Sequence, residues 1–218
     1  MENKEKPKMS ELITRSFAEF KVNDNEDKNI GVLVGTPIVF ETPTDIGGMF
    51  QETIARGAIN ESVLKDVAFF FNHDLNGKRL ASTRNKTMDL KIDENGVQME
   101  ARLNLERTDS KDLYLAIKDG EIGEMSFAFR IEDETWSDLD TDYPKRRINK
   151  IGYVQEVSAC NWGAYSSTEI YARSQEFLDK NLKALDNARA AAVDTADDEK
   201  RQLELAKLKL QLIAEGGM

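Results

Sequence analysis

His73 is the sole histidine in the chain. It follows the apolar run Val67-Ala68-Phe69-Phe70-Phe71 and Asn72. A short apolar run of this kind reads as a buried strand. A histidine at its polar end meets solvent from a rigid support, and its ordinary pKa suits a general base near neutral pH. A lone histidine is more often structural than catalytic, so the rest of the chain has to supply partners. Nucleophilic hydrolysis needs a nucleophile, a base and a group that orients the base. Ser126 stands out as a nucleophile in Met125-Ser126-Phe127-Ala128-Phe129-Arg130-Ile131. Met125, Phe127, Phe129 and Ile131 share one face of that strand, and Ser126 lies on the small-residue face with Ala128. A serine there is either a satisfied half-buried hydroxyl or a rigidly presented nucleophile. Glu156 lies between Val154 and Val157, where an unpaired charge is costly. Pairing with His73 explains it, and so does pairing with Arg130. Asp74 is nearer to His73 in sequence, but neighbours on a strand point to opposite faces. Cys160, at a strand end, reads as a core residue first and as a reserve nucleophile second.

The elements that must hold these residues are mostly strands. Leu12 to Phe17 reads as an edge strand. Ile30 to Phe40 reads as a strand, a bend at Gly35-Thr36-Pro37, and a second strand. Phe50 to Ile59 is a short strand and turn, followed by a short helix capped by Asn60. Met88, Leu90 and Ile92 alternate with polar residues, as do Val97, Met99, Ala101, Leu103 and Leu105. With Glu94-Asn95-Gly96 between them, they predict a hairpin. Asp109 to Gly120 predicts a helix with Asp109 or Ser110 as N-cap and Gly120 as its stop. The acidic stretch Glu132 to Asp142 reads as a flexible excursion. Arg147 to Cys160 reads as one long strand or two consecutive ones, and Asn161 to Thr168 as a closing loop. From Ser174 glycine is absent until Gly216, and leucines recur at helical spacing. Asp194 to Asp198 is placed as the cap of a second helix, giving a helical hairpin or an interaction arm. The division is a flexible segment 1–27, a β domain 28–173 and a charged helical tail 174–218.

Composition narrows the function. A net charge of −10 argues against a nucleic-acid binder, which needs a basic surface. No apolar segment is long enough to span a membrane, and the charged N-terminus lacks a signal-peptide core. One cysteine and one histidine exclude an internal disulfide framework and argue against structural zinc. No cofactor, no metal and a cytoplasmic setting are expected. No internal repeat and no phosphate-binding glycine loop occur. The sequence Gly123-Glu124-Met125-Ser126-Phe127 lacks the Gly-x-Ser-x-Gly elbow of the common esterases.

Six segments in order resemble the prohead maturation proteases of tailed phages. They are Gly35-Thr36-Pro37, Glu52 to Ala58, Phe71-Asn72-His73-Asp74, Gly120-Glu121-Ile122 with Met125 to Arg130, Glu156-Val157-Ser158, and Ala164-Tyr165. The resemblance covers residues 28 to 173. It implies a fold similar to the herpesvirus assembly proteases, mainly β with flanking helices: a closed or nearly closed β-barrel followed by the tail. It also implies a serine endopeptidase packaged inside the immature capsid in the host cytoplasm. Its partners would be the major capsid protein, whose scaffold segment it removes, and itself, by self-processing. A homodimer is implied only by analogy. His73 matches the family's base and Ser126 its nucleophile. The herpesvirus relatives use a second histidine as third member, and Glu156 substitutes for it here. Gly163 stands where the family often has proline. The adjacent Arg146-Arg147 precedes Glu156 instead of following it, so the oxyanion donor is unassigned and a backbone N–H is the default. Ser126→Ala and His73→Ala are each expected to abolish cleavage without unfolding. The rival is a non-enzymatic scaffold or capsid-assembly protein built on the same platform.

Overall fold

The computed structural model describes residues 12–23, 27–161 and 175–215. In chain order the elements are β1 (Leu12–Glu19), β2 (Lys21–Asn23), β3 (Ile30–Val39), β4 (Thr44–Ile46), β5 (Phe50–Ile54), a 3-10 turn (Glu61–Leu64), β6 (Ala68–Phe71) and β7 (Ala81–Ser82). There follow β8 (Met88–Ile92), β9 (Gly96–Asn104), α1 (Thr108–Lys118), β10 (Glu124–Ser137), β11 (Lys145–Cys160) and α2 (Gln175–Glu215). The fold is mainly β with helices, as expected.

The expected barrel is not closed. Among the described residues the strands form two sheets, one seven-stranded along β1-β10-β11-β5-β4 with β6 attached to β11 and β7 to β6, and one four-stranded, β2-β3-β9-β8. The topology explains why. β11 is long enough to take β5 alongside its first residues and β6 alongside its last, both parallel, while β10 runs antiparallel on its other side. The sheet therefore branches around β11 instead of closing on itself. Leu33, Val97, Met99 and Leu103 from the small sheet meet Phe69, Phe127, Phe129 and Val157 from the large one in a single core. Phe127 and Phe129 stack at 4.6 Å, which fixes the apolar face of β10.

Several elements follow their sequence signals. Leu12–Glu19 is an edge strand paired to β10, and Lys21–Asn23 pairs with β3, so residues 12–23 belong to the two sheets and not to the flexible segment expected over 1–27. Asn60 accepts a hydrogen bond from Ser62 N at 2.9 Å and starts the 3-10 turn. The β8–β9 hairpin forms in the expected register. Its glycine is required by close approach, because a Cβ on Gly96 would lie 2.0 Å from the Ile38 carbonyl oxygen. Gly120, at φ +80°, stops α1.

Others differ. Ile30–Val39 is one strand, its irregularity absorbed as a register shift between Gly35 and Ile38. The N-cap of α1 is Arg107, which makes no capping side-chain bond; Asp109 sits in the first turn, where its charge suits the helix dipole. The acidic stretch is not an excursion: Glu132 to Ser137 continues β10 against the start of β11. Cross-strand cations make this stable, with Lys150 on Glu132 at 2.6 Å and Arg146 on Glu134. The tail is a single helix, not a hairpin. Without Gly or Pro, Asp194 to Asp198 does not interrupt it, and Thr195 Oγ1 donates to Ala191 O as a helix interior allows. Most of the Asn161–Thr168 loop lies outside the described residues.

Candidate active site

The site forms where β6 ends beside the last turns of β11. Glu156 pairs in register with Ala68 and Ser158 with Phe70. Strand alternation puts Glu156, Ser158 and Cys160 on one face of β11, while Val157 and Ala159 enter the core on the other. All five are fully buried.

β6 stops at Phe71, so His73 is not on a strand. The chain passes through two consecutive left-handed residues, Asn72 at φ 49° and His73 at φ 58°. This is costly for non-glycine residues, and asparagine tolerates it best. The neighbourhood holds it in place. Asn72 N donates to Ala159 O at 2.8 Å, and Asn72 Oδ1 accepts from Asn161 N at 3.0 Å. His73 N donates to Ser158 Oγ at 3.2 Å. The bend turns the imidazole back over β11. Asp74 is occupied elsewhere, accepting from the amides of Asn76 and Gly77.

His73 Nδ1 lies 2.6 Å from Glu156 Oε1. The second carboxylate oxygen accepts from Ser158 Oγ. A fully buried carboxylate thus has a partner on each oxygen, which is what makes its burial tolerable. On the far side of the ring, His73 Nε2 lies 3.7 Å from Cys160 Sγ. Burial by itself disfavours the imidazolium, but hydrogen bonding to Cys160 and Glu156 and the negative charge these place beside the ring push the His73 pKa up to about 9.

Ser126 stands directly across from Ser158 in the β10–β11 register, and Glu124 across from Cys160. Side chains of directly opposed residues share a face. Ser126 therefore belongs to the face that carries Ser158 and the His73–Glu156 pair, with Cys160 diagonal to it, and it is fully buried. The structure thus brings His73 and Glu156 into contact and sets Ser126 on the same face, with Cys160 Sγ 3.7 Å from Nε2.

The alternatives for Glu156 and for the oxyanion donor resolve differently. Arg130 places its guanidinium over the Tyr153 ring at 5.8 Å. Arg146 is buried against Glu52 and Glu134, and Arg147 pairs with Glu41. Ten residues of strand, about 30 Å, separate them from Glu156, so neither serves this site. Ser158 and the contact to Cys160 were not singled out as site features from the sequence. The i, i+2 spacing of Glu156, Ser158 and Cys160 was the available signal. Among the described residues no cluster of His, Cys, Asp and Glu could hold a metal, and no helix is long and apolar enough to cross a membrane.

A histidine backed by a buried carboxylate, on a sheet face bearing a hydroxyl and a thiol, is the layout of a hydrolase with an activated nucleophile. Residues 18–181 match the family described as caudovirus prohead serine protease, and the chain belongs to that family. It is 26% identical over 165 residues to the prohead protease of Enterobacteria phage HK97, covering 75% of this chain and 70% of that one. The capsid assembly protease of bacteriophage T4 aligns over 70% of this chain and 97% of its own, at 16% identity and a TM-score of 0.46. The chain is a phage prohead maturation protease.

Proposed function

We propose that the chain is a serine endopeptidase that acts inside the immature capsid. Its substrates are the scaffold segment of the major capsid protein and its own chain. Ser126 is the nucleophile, His73 the base and Glu156 the group that orients the imidazole. The observation that carries this reading is the 2.6 Å His73–Glu156 contact on the sheet face that also holds Ser126. His73 Nε2 takes the proton of Ser126 as its oxygen attacks the peptide carbonyl. The same proton then goes to the leaving amine, and water hydrolyses the acyl-enzyme by the same route. Glu156 keeps the Nδ1 proton in place and stabilises the imidazolium. The reactive state needs Nε2 within hydrogen-bond reach of Ser126 Oγ, and catalytic hydrogen bonds commonly tighten only with substrate bound. Because Ser126 is fully buried, this face must also open before a peptide can enter.

A second reading is favoured by one observation, the 3.7 Å approach of Cys160 Sγ to Nε2. In that reading Cys160 is the nucleophile on the same base. The two separate cleanly. The chain is co-expressed with its capsid protein, and intact masses are followed over time. Ser126→Ala is expected to abolish processing of both proteins, while Cys160→Ala keeps it. Full processing by Ser126→Ala with loss in Cys160→Ala would replace the serine by the cysteine. Unprocessed capsid protein with every version, the unaltered chain included, would support the scaffold role instead.

A further inference from the structure

Ser158 is fully buried, two residues from Glu156, and makes two hydrogen bonds that the chemistry above does not use. We propose that Ser158 is a positioning residue that fixes both the proton placement and the orientation of the His73–Glu156 pair. This rests on the reading of His73 as the base.

The directions of the hydrogen bonds are forced. The backbone N–H of His73 can only donate, so Ser158 Oγ must accept there at 3.2 Å. The hydroxyl has one proton, and it goes to Glu156 Oε2. An ionised carboxylate only accepts, so the contact of Glu156 Oε1 with His73 Nδ1 requires the proton on Nδ1. The neutral ring then offers Nε2 as its free lone pair, the nitrogen that faces the nucleophile side. One hydroxyl closes a ring that runs from the His73 backbone through Ser158 and Glu156 to the His73 imidazole. It tethers the left-handed backbone of His73 and the carboxylate that aligns its ring to the same point on β11.

Residue 158 is the next one on the Glu156 face of the strand, and it pairs with Phe70, just before the bend. Without its hydroxyl, Glu156 Oε2 and the His73 amide lose their partners in a site that is fully buried at Glu156. The carboxylate is then free to rotate, and the imidazole loses its fixed tautomer. The ionisable groups around this corner include Cys160 at Nε2, Asp74 next in the chain, engaged with the Asn76 and Gly77 amides, and, on β10, Glu124 across from Cys160 and Arg130 across from Tyr153.

Because His73 is the sole histidine, a histidine-labelled chain gives a single pair of imidazole nitrogen resonances. The measurement uses the full chain carrying Ser126→Ala, so that processing does not consume the sample. The Nδ1–H tautomer is expected to dominate the neutral form. Adding Ser158→Ala should give a tautomer mixture and lower the titration midpoint by about one pH unit, the loss of one charge-assisted hydrogen bond. Ser158→Thr, which keeps the hydroxyl, should restore both. In the chain with Ser126 intact, Ser158→Ala should slow the limiting rate of capsid-protein cleavage above the titration midpoint, where the base is neutral, roughly tenfold, the same free energy read as a rate, with Ser158→Thr recovering it. Should Ser158→Ala fail to fold, Ser158→Cys replaces the hydroxyl by a poor donor and is expected to shift the resonances in the same direction. Unchanged tautomer and midpoint in a folded Ser158→Ala or Ser158→Cys chain would overturn the proposal. Cleavage surviving Ser126→Ala would overturn the nucleophile assignment alone, because the resonances do not depend on which residue attacks.

Discussion

In the proposed role of base, His73 works between two demands that pull its proton in opposite directions. A base must be neutral to accept a proton, yet Glu156 and Cys160 hold the ring in its charged form to about pH 9. The sign follows directly. The pKa is raised, so the active neutral fraction is small at neutral pH and grows as pH rises through about 9. The rate of capsid-protein cleavage is therefore expected to keep climbing on the alkaline side of neutrality. Cys160→Ala removes one of the two groups that favour the proton and should move this limb toward the ordinary histidine value of 6.5. A limb already complete at neutral pH in the unaltered chain would contradict the arrangement. The fully buried Glu156 also changes what His73→Ala should do. The sequence suggested a variant that stays folded, but removing the partner of a buried carboxylate typically costs about 3–5 kcal/mol. Chemical unfolding should find His73→Ala destabilised by that amount and Glu156→Gln less so, since its amide leaves no buried charge. Glu156 was legible because a lone charge between valines asks for a partner. The hydrogen bonds of Ser158 and the contact of Cys160, read from the sequence only as a reserve nucleophile, were not, because they depend on which residue the bend beyond β6 brings over β11, and no local pattern specifies that.

The decisive element is that bend, not the strand before it. Asn72 and His73 are both left-handed, and the amide of His73 reaches β11 only in that conformation. Asn72→Gly loses the bond from Asn161 N but relaxes the backbone, and should cost about 1 kcal/mol. Asn72→Val adds a β-branched side chain at positive φ, and should cost roughly 1–3 kcal/mol more. Comparing the two by urea unfolding isolates the strain, and equal stabilities would mean the bend has moved. The same contrast describes what the sequence could tell about the elements. The β8–β9 hairpin, the Asn60 cap and the Gly120 stop each rest on contacts within a few residues, and local chemistry predicted them. The Glu132–Ser137 extension of β10 rests on cations of β11 that come after the turn. Read locally its acidic residues suggest a solvated loop, and only pairing makes them a strand. A closed barrel failed for a related reason: nothing in the spacing of β5 and β6 reveals that both lie along β11.

At the scale of the whole molecule, α2 has two halves with different surroundings. In its first half Leu185 is buried with Ile46 and Phe50, packed by Met49, Trp136 and Leu139. Arg189 donates to the carbonyls of Leu139 and Thr141 at the tip of the β10–β11 hairpin. Arg146 is buried between Glu52 and Glu134, with the Trp136 ring 5.3 Å away, so the side chains that Leu185 packs on also border a buried ion-pair network. Farther along, Val193, Leu203 and Leu205 are exposed. At 41 residues the helix is about 60 Å long, too long to lie on the β domain throughout. We therefore propose a functional boundary within α2 and not at its start: the first half completes the β domain, and the second half is the interaction arm, which would contact the scaffold segment and carry the protease into the shell. Two truncations test this. Ending the chain at Arg173 removes the Leu185 burial and both Arg189 bonds, about 3–5 kcal/mol together, which should lower Tm by roughly 10 °C in a chain of this size. Ending it at Val193 should leave Tm within a degree or two of the full chain, yet reduce the amount of protease found in purified proheads. Normal packaging of the Val193 truncation would remove the arm from the delivery route. A Tm unchanged by ending at Arg173 would mean that the first half only rests on the sheet, and the boundary would return to the start of the helix.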